Sequence, residues 1–423
     1  MQEWRTYRIG DICKRVCSGG TPKSTEPSYY DGEIPWLNTK EINFNRISST
    51  EKHITLSGLE NSSAKWIDKN SVIVAMYGAT AAKVAINTIP LTTNQACCNL
   101  SIDETKADYR FVYYWLCSRY TELASLANGG AQQNLNAQQI KDFEIKLPEI
   151  QIQQKIADLL WSIDNKIICN KSINDNLEQQ AQALYKSWFV DFEPFKDCEF
   201  VDSELGLIPE GWQVGTYEQI IQTTISGDWG KDIITGNYTH KVACVRGCDF
   251  QDMSIGVRGK TPERYILEKN YQAKRLIDND VIVEISGGTS TISTGRVCLI
   301  NDDLLGKYNN DIVCTNFCKV VRPIQSYGAY LYYSWKYKYD CRVMFGYENG
   351  TSGIKNFQIS DFLSKEPVII PSESSIKEFQ MIIDTLQNNI QTTGSEIMKI
   401  ESLRDSLLPK LMSGELEINE KDC

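Results

Sequence analysis

Histidine is nearly absent from this sequence: His53 and His240 are the two among 423 residues. A histidine-rich metal centre or catalytic triad is therefore nearly excluded. No apolar run approaches the ~18 residues that a membrane-spanning helix needs. The first residues, MQEWRTYRIG, also lack the apolar core of a signal peptide. These absences predict a cytoplasmic protein without a metal site.

The fourteen cysteines are scattered along the chain and never form a CxxC pair. Three pairs share a CxxxC spacing, which metal ligands can also show: Cys13/Cys17, Cys244/Cys248 and Cys314/Cys318. Reduced, partly buried thiols are the ordinary state of cysteine in a cytosolic protein. We therefore interpret these pairs as free thiols and expect no metal.

Motifs for catalysis are missing as well. GATAAK (78–83) lacks the second Gly and the Ser or Thr of a phosphate-cradling loop, and SGGTSTISTG (286–295) lies between two strand-like segments, which favours a tight turn. Asp142, Glu144 and Lys146 resemble a nuclease cluster but alternate along one presumptive strand, which favours a solvated edge. With no adenine-methyltransferase motif and no dinucleotide fingerprint, we expect the chain by itself to be non-catalytic.

What the sequence does contain is an internal duplication. NSVIVAMYGAT (70–80) returns as NDVIVEISGGT (279–289), and YRFVYYWL (109–116) returns as AYLYYSWK (329–336). Other segments repeat in the same order, with Thr93-Asn94 aligned to Thr315-Asn316. Each copy combines short strand patterns with one aromatic helical stretch. The duplication predicts two similar α+β domains.

A long helix pattern follows each copy, with apolar residues spaced four and three apart, as in a coiled coil. Ser375 and Glu378 predict a capping box at the start of the second helix. Asn170, Asn174 and Thr393 interrupt the stripe, next to Gly394, and such a polar layer can fix the register. Two unrelated amphipathic helices on separate cores are the alternative. The predicted spacer residues are Ile156, Leu160, Ile163, Ile167, Leu177, Leu184, Phe379, Ile383, Leu386, Ile390, Ile397, Ile400 and Leu407.

Together these patterns predict an α+β fold with two tandem, similar globular recognition domains. Residues 1–147 form the first domain, and 191–370 form a connector and the second domain. Residues 148–190 form the first long helix, and 371–423 form the second long helix and a C-terminal tail. Chain order favours an antiparallel coiled coil between the helices, with a pseudo-twofold internal repeat.

The formal net charge is −10, which at first argues against a nucleic-acid partner. The acidic excess, however, is concentrated in the helical segments 148–200 and 371–423, and the two globular segments are close to neutral. Two similar heads on a spacer suit duplex DNA, whose grooves repeat every ~34–36 Å, because linkage makes the second engagement intramolecular. The alternatives are a protein-interaction scaffold that binds no DNA, and a stand-alone modification enzyme or nuclease, which the missing motifs oppose.

Four segments resemble the specificity subunits of type I restriction-modification systems: SGGTPKSTEPSYYDGEIPWLNTKEI (18–42), LPEIQIQQKIADLLWSIDNKI (147–167), AQALYKSWFVDFEPF (181–195) and LRDSLLPKLMSGEL (403–416). The resemblance implies two target recognition domains, each reading one half of a split DNA sequence, with helices that set the gap and dock the partners. It also implies two adenine-N6 methyltransferase subunits that use S-adenosylmethionine, and restriction-translocase subunits that use ATP and Mg. Ala82 and SGDWGKD (226–232) depart from the family pattern, and the second departure predicts a differently shaped loop.

Candidate DNA-contacting residues are loop residues whose side chains suit phosphates or base edges. In the first copy they are Thr21, Lys23, Asn38, Lys40, Tyr77, Lys83, Gln132, Gln133 and Asn134. In the second copy they are Trp229, Lys231, Arg246, Arg258, Lys260, Ser290, Arg296 and Lys355. Because no strong basic stripe is visible, we expect the chain alone to bind DNA weakly.

Overall fold

The computed structural model describes residues 4–127, 134–289, 291–350 and 355–417. The chain divides into two compact units. Unit 1 comprises Met1–Asn165 and Ser402–Cys423, and unit 2 comprises Lys166–Glu401. Both boundaries fall inside long helices, so each of these helices contributes to both units. Among the described helices, none is both long and apolar enough to cross a membrane.

The strands of unit 1 are β1 (Arg5–Arg8), β2 (Cys13–Ser18), β3 (Tyr30–Leu37), β4 (Asn45–Ile47), β5 (Lys52–Ile54), β6 (Trp66–Ile67), β7 (Val72–Ala75), β8 (Val84–Asn87), β9 (Leu91–Thr93), β10 (Cys97–Ile102) and β11 (Glu144–Leu147). Its helices are α1 (Leu56–Glu60), α2 (Tyr109–Ser118), α3 (Tyr120–Ser125), α4 (Ala137–Asp142) and the first part of α5 (Ile150–Phe189). Asp142 therefore ends a helix and does not continue the strand of Glu144 and Lys146, contrary to the sequence interpretation, because α4 turns into β11 only at Phe143.

The central sheet of unit 1 has the strand order β2-β10-β7-β8-β4, and a second sheet has the order β5-β3-β9-β6. All four residues of β7 are buried. Val72 and Val74 pack in the cluster that contains α2, whereas Ile73 and Ala75 pack with Leu37 and Leu91 of the second sheet. Burial on both faces explains why β7 is a continuous apolar run without polar alternation.

The strands of unit 2 are β12 (Phe200–Ser203), β13 (Gly206–Pro209), β14 (Gln213–Thr216), β15 (Ile221–Ser226), β16 (Tyr238–Val245), β17 (Glu263–Leu267), β18 (Val281–Glu284), β19 (Ser286–Gly287), β20 (Val297–Leu299), β21 (Asp311–Cys314), β22 (Cys318–Pro323), β23 (Glu348–Asn349), β24 (Lys355–Phe357) and β25 (Pro367–Ile370). Its helices are α6 (Phe250–Ser254), α7 (Glu268–Lys274), α8 (Asp302–Leu305), α9 (Gly328–Asp340), α10 (Ile359–Lys365), the part of α5 from Lys166 onward, and α11 (Glu373–Ser413) up to Glu401.

The central strand β18 of unit 2 is buried in the same manner as β7. The main sheet has the order β15-β22-β18-β20, beside a sheet of order β17-β16-β21. Val281 and Val283 pack with the tyrosines of α9, and Ile282 packs with Val245 and Cys314 on the opposite face. Each unit thus places a doubly covered strand between an aromatic helix and a second sheet.

The repeat is visible in the backbone hydrogen bonds, and these correct the sequence alignment by one residue. The Asn94 N–H donates to the Leu37 carbonyl oxygen (3.0 Å), and the Thr315 N–H donates to the Val245 carbonyl oxygen (2.9 Å). Thr315 therefore corresponds to Asn94 and not to Thr93. The identical Thr-Asn letters misled the sequence alignment. The error matters because a slip of one residue in a strand exchanges its two faces.

Strand register supports the corrected equivalence. Cys97 pairs with Ala75 between β10 and β7, and Cys318 pairs with Glu284 between β22 and β18. Ala96, which precedes Cys97, consequently corresponds to Phe317. Ala96 is buried, whereas Phe317 is exposed over 57% of its surface.

The two long helices pair within each unit. In unit 1, the Arg404 guanidinium of α11 contacts the Asp164 carboxylate of α5 at 3.1 Å. In unit 2, Lys171 pairs with Glu401 at 3.0 Å and the Asn174 amide donates to the Ile390 carbonyl oxygen at 3.1 Å. Partner numbers in unit 2 fall along α11 as those of α5 rise, so the helices run antiparallel there.

The predicted spacer residues all lie buried or half-buried, but the stripe does not pack on the partner helix alone. Ile156 and Leu160 belong to the core of unit 1 with α2. Phe379 and Ile383 belong to the aromatic core of unit 2, where Phe379 lies 5.0 Å from Phe189 between ring centroids. The same apolar stripe therefore joins each helix to a globular core.

The predicted capping box at Ser375 is wrong. Helix α11 begins at Glu373, and the Ser375 N–H donates to the Ser372 hydroxyl oxygen at 3.3 Å. Ser372 is thus the N-terminal capping residue, because it directly precedes Glu373 and its side chain accepts from the third helical N–H. Ser375 lies inside the helix and is buried.

The polar layer includes a close backbone contact in unit 2. Asn174 is fully buried, and its amide also donates to the Ile255 carbonyl oxygen at 2.8 Å. A Cβ atom on Gly394 would lie 2.1 Å from the Gly256 carbonyl oxygen, so only glycine fits there. Lys307 completes the layer by donating to the Gln391 and Gly256 carbonyl oxygens at 2.8 and 2.7 Å. These contacts fix the globular part of unit 2 on its helices.

Candidate nucleic-acid interface

A turn between β9 and β10, residues 93–96, gathers candidate residues of unit 1. The Gly20 N–H donates to the Thr93 carbonyl oxygen at 2.9 Å, and the Thr21 hydroxyl bonds the Gln95 side chain. The Asn94 amide donates to the Asn38 Oδ1 atom at 3.1 Å. The structure therefore brings Thr21 and Asn38 to the same turn, although 17 positions separate them in the sequence.

The end of β7 joins this turn from the other side. The Met76 N–H donates to the Ala96 carbonyl oxygen, and the Leu135 N–H donates to the Met76 carbonyl oxygen, both at 2.8 Å. Tyr77 and Asn134 then pair across an isolated antiparallel bridge. Tyr77 is 43% exposed, so its phenol ring is presented next to an exposed amide side chain.

The three candidate lysines of unit 1 differ in the side chains that they contact. Lys40 forms an ion pair with Glu51, and the Lys83 Nζ atom donates to the Asn43 Oδ1 atom at 2.8 Å. Lys23 is exposed. Gln132 and Gln133 lie outside the described residues. Amide and hydroxyl groups therefore dominate the described part of this surface.

Unit 2 builds the same arrangement from different side chains. The Asp228 N–H donates to the Cys314 carbonyl oxygen at 2.8 Å, as Gly20 does to Thr93. The Ile285 N–H donates to the Phe317 carbonyl oxygen at 2.9 Å, and the Phe357 N–H donates to Ile285 at 2.9 Å. The turn at residues 314–317 is the counterpart of the 93–96 turn. Two copies of one loop scaffold therefore carry two different sets of side chains.

Three of the predicted cations in unit 2 are held by nearby carboxylates. They are Arg246, which chelates Asp249 through two bonds of 3.1 Å, Arg296, which chelates Glu284 at 2.8 and 2.7 Å, and Lys355, which bonds Glu348 at 2.7 Å. Burial raises the pKa of Glu348, but the hydrogen bonds from Lys355 and Thr294 together lower it by more. The pKa of Glu348 therefore lies below its ordinary value. These cations consequently hold the loops in place.

The remaining candidates in unit 2 are more accessible. Trp229 is 38% exposed, and the Arg264 guanidinium lies 4.1 Å from its ring centroid. Lys231 exchanges two backbone hydrogen bonds of 2.9 Å with Tyr265, leaving its side chain exposed. Arg258 and Lys260 are exposed. Ser290 lies outside the described residues.

Sequence reasoning missed two side chains on these turns. Gln95 is exposed on the 93–96 turn, and Phe317 is exposed on the 314–317 turn. Both directly follow the Thr-Asn letters that the two copies share. A shared turn with unlike exposed neighbours is the signal that could have found them.

The arrangement suits recognition and offers little for catalysis. Exposed amides, a tyrosine and two other aromatic rings are held on turns that backbone hydrogen bonds fix on both sides. Such groups can pair with base edges or contact them in a groove. Across the described ranges, no three His, Cys, Asp or Glu side chains gather into a group that could hold a metal.

Comparison with known proteins agrees with this interpretation. Residues 1–179 match the family model described as the type I restriction modification DNA specificity domain. The MjaIX specificity subunit of Methanocaldococcus jannaschii is 26% identical, over 99% of this chain and 95% of that protein. The HindI specificity subunit of Haemophilus influenzae is 22% identical, over 98% of this chain and 100% of that protein.

This chain is a relative of the type I restriction specificity subunits. The resemblance that the sequence motifs indicated is thereby confirmed. A crystal structure of the type I S subunit from M. genitalium superposes with a TM-score of 0.54 and 16% identity, over 97% of this chain and 96% of that one. This chain therefore shares the fold of that subunit, which is mixed α/β with a long helix.

Proposed function

We propose that this chain is the DNA sequence-specificity subunit of a type I restriction-modification complex, in which each recognition domain reads one half of a bipartite DNA target. The observation that carries the proposal is the duplicated loop scaffold. The 93–96 turn and the 314–317 turn receive equivalent hydrogen bonds but expose different side chains. One scaffold with two sets of side chains suits the reading of two unlike half-sites.

The two long helices are proposed to form the antiparallel coiled-coil spacer that sets the gap between the half-sites. They are also proposed to dock the methyltransferase subunits, two per complex, with restriction-translocase subunits joining that assembly. Methylation of adenine N6 and cleavage of DNA belong to these partners, which would use S-adenosylmethionine, ATP and Mg. The specificity chain contributes target recognition and geometry.

The proposal is tested by single-molecule methylation mapping of host genomic DNA with and without this gene. We expect one split, asymmetric motif with N6-methyladenine in both halves to disappear on deletion and to return on complementation. A strain that keeps this gene but carries an inactive methyltransferase is the control, and it should lose the same motif.

Two outcomes would count against the proposal. An unchanged methylation pattern after deletion, with the methyltransferase partner expressed and active, would contradict a specificity function. Assembly of the partners on this chain that is independent of DNA and insensitive to salt would then favour the protein-interaction scaffold.

A further inference from the structure

Unit 2 carries an aromatic recess that unit 1 does not share. The recess has a volume of about 220 Å³, and Trp229 and Phe317 are among the residues that line it. Gly247, Ser286 and Thr315 also line it. In unit 1 the residue that corresponds to Phe317 is the buried Ala96. The aromatic wall is therefore a feature of one recognition unit.

Both rings are presented by a fixed backbone. The Phe317 N–H donates to the Thr315 hydroxyl oxygen at 3.1 Å, and its carbonyl oxygen accepts from Ile285 at 2.9 Å. The Trp229 carbonyl oxygen accepts from the Arg264 Nε atom at 2.8 Å. Arg264 is 6% exposed, so a largely buried cation holds the Trp229 ring. Despite this order, 57% of Phe317 remains exposed, which places an apolar ring in water.

The charged side chains at the recess are already neutralised. The Arg246 guanidinium is chelated by Asp249 and donates to the Lys260 carbonyl oxygen at 2.7 Å. The Glu284 carboxylate is chelated by Arg296. The exposed aromatic rings are therefore the main groups at the recess that are open to a ligand. They favour an apolar ligand group over a phosphate.

We propose that the Trp229–Phe317 recess recognises the 5-methyl group of a thymine in the half-site that unit 2 reads. This inference rests on the proposed function. Among the base edges of duplex DNA, the thymine methyl is the apolar group exposed in the major groove. The recess lies on the 314–317 turn, which is the counterpart of the turn that gathers Thr21 and Asn38 in unit 1.

The test uses the full chain in complex with its methyltransferase subunits and duplexes that contain the motif from methylation mapping. Each thymine on both strands is replaced in turn by deoxyuridine, which removes only the 5-methyl group. We expect about 3- to 10-fold weaker binding at one thymine of one half-site. Phe317→Ala should weaken binding to the unmodified duplex by a similar factor and show no further loss with that deoxyuridine.

Phe317→Leu, which keeps an apolar side chain, should retain the methyl dependence in part. Thymines of the other half-site serve as the internal control, because Phe317→Ala should leave their response to deoxyuridine unchanged. Thermal melting of each variant checks that the fold is intact.

Two outcomes would overturn the inference while leaving the proposed function intact. One is a motif whose methylation is normal but in which no thymine shows methyl dependence that Phe317→Ala removes. The other is increased fluorescence of 2-aminopurine next to the site in the wild type and not in Phe317→Ala, which would show that the ring enters the base stack as a wedge. Failure of the proposed function itself would appear earlier, as the absence of any motif that depends on this gene.

Discussion

Gly227 shows how closely one residue can limit the recognition scaffold. A Cβ atom at this position would lie 2.0 Å from the Thr315 carbonyl oxygen. In unit 1, a Cβ atom on Gly19 would lie 2.0 Å from the Thr93 carbonyl oxygen. We expect Gly227→Ala to lower the free energy of unfolding of unit 2 by about 2–4 kcal/mol, because neither backbone segment can move freely. Chemical unfolding of the full chain measures this.

The matched control for this substitution is Gly346→Ala. No atom lies within 4 Å of a Cβ built on Gly346, so we expect a change within about 0.5–1 kcal/mol. Equal stability of the two variants would show that the segment at Gly227 does not approach the 314–317 turn as closely as described.

Cysteine reactivity provides a second test at the residue scale. Burial raises the pKa of Cys13, Cys244 and Cys318 to about 12. A raised pKa leaves little thiolate, which is the nucleophilic form. We expect these thiols to resist iodoacetamide at pH 8 in the native protein. The exposed thiols Cys169, Cys198, Cys248 and Cys341 should react first, as measured by peptide mass spectrometry.

Reaction of Cys244 and Cys248 at equal rates would contradict this order. Cys244 is buried and Cys248 is exposed, so that pair is the most direct comparison. Unfolding in urea is the control, since all thiols should then be alkylated at similar rates.

At the scale of elements, one buried and one half-buried carboxylate of α5 hold the aromatic helices. The Glu178 carboxylate accepts from the Lys336 Nζ atom at 2.6 Å and from the Tyr333 hydroxyl at 2.9 Å. Burial and Glu178 together raise the pKa of Tyr333 well above its ordinary value, so the phenol stays a donor. In unit 1, Asp164 accepts from the Tyr114 hydroxyl at 2.5 Å in the same manner.

We therefore expect Glu178→Ala to destabilise unit 2 by about 3–5 kcal/mol, because it leaves a half-buried ammonium and a buried hydroxyl without their acceptor. Thermal unfolding followed by circular dichroism measures the effect. Glu373→Ala removes an exposed ion pair with Lys377 on α11 and should leave the stability almost unchanged, because solvent screens such a pair. A loss for Glu178→Ala no greater than for this control would contradict the anchoring role.

Sequence patterns predicted these elements better than their connections. The aromatic stretches became α2 and α9, and the apolar run around Val281 became a strand, because period and burial act locally. The one-residue shift between Asn94 and Thr315 was not predictable, since strand register depends on partners distant in the chain. The same holds for the cap at Ser372, where two serines three residues apart compete for one helix start.

Side-chain roles at the candidate interface were the least predictable. Arg296 and Lys355 are typical phosphate-binding residue types, yet Glu284 and Glu348 hold them in the folded unit. Phe317 was overlooked because an apolar residue after a strand signal indicates a core position. Its exposure follows from a turn geometry that is evident only once both strands are paired.

At the scale of the whole molecule, the difference between exposed cations and cations held in ion pairs predicts how DNA binding depends on salt concentration. Arg258 and Lys260 are exposed, whereas Lys355 is bonded to Glu348 at 2.7 Å. If Arg258 and Lys260 contact phosphates, each contact releases condensed counterions. It then adds about 0.9 to the steepness with which log affinity falls against log salt concentration. Binding by the chain alone should therefore be weak and have a shallow slope, with the methyltransferase subunits supplying most phosphate contacts.

Fluorescence anisotropy of the assembled complex on motif-containing and motif-free duplexes, over a range of salt concentrations, tests this. We expect Arg258→Ala and Lys260→Ala each to reduce the slope by about 1 and to weaken both duplexes alike. Lys355→Ala is the matched control and should leave the slope unchanged, because its charge is already neutralised within unit 2. A loss confined to the motif-containing duplex would instead assign Arg258 or Lys260 to base reading, since a phosphate contact carries no sequence information.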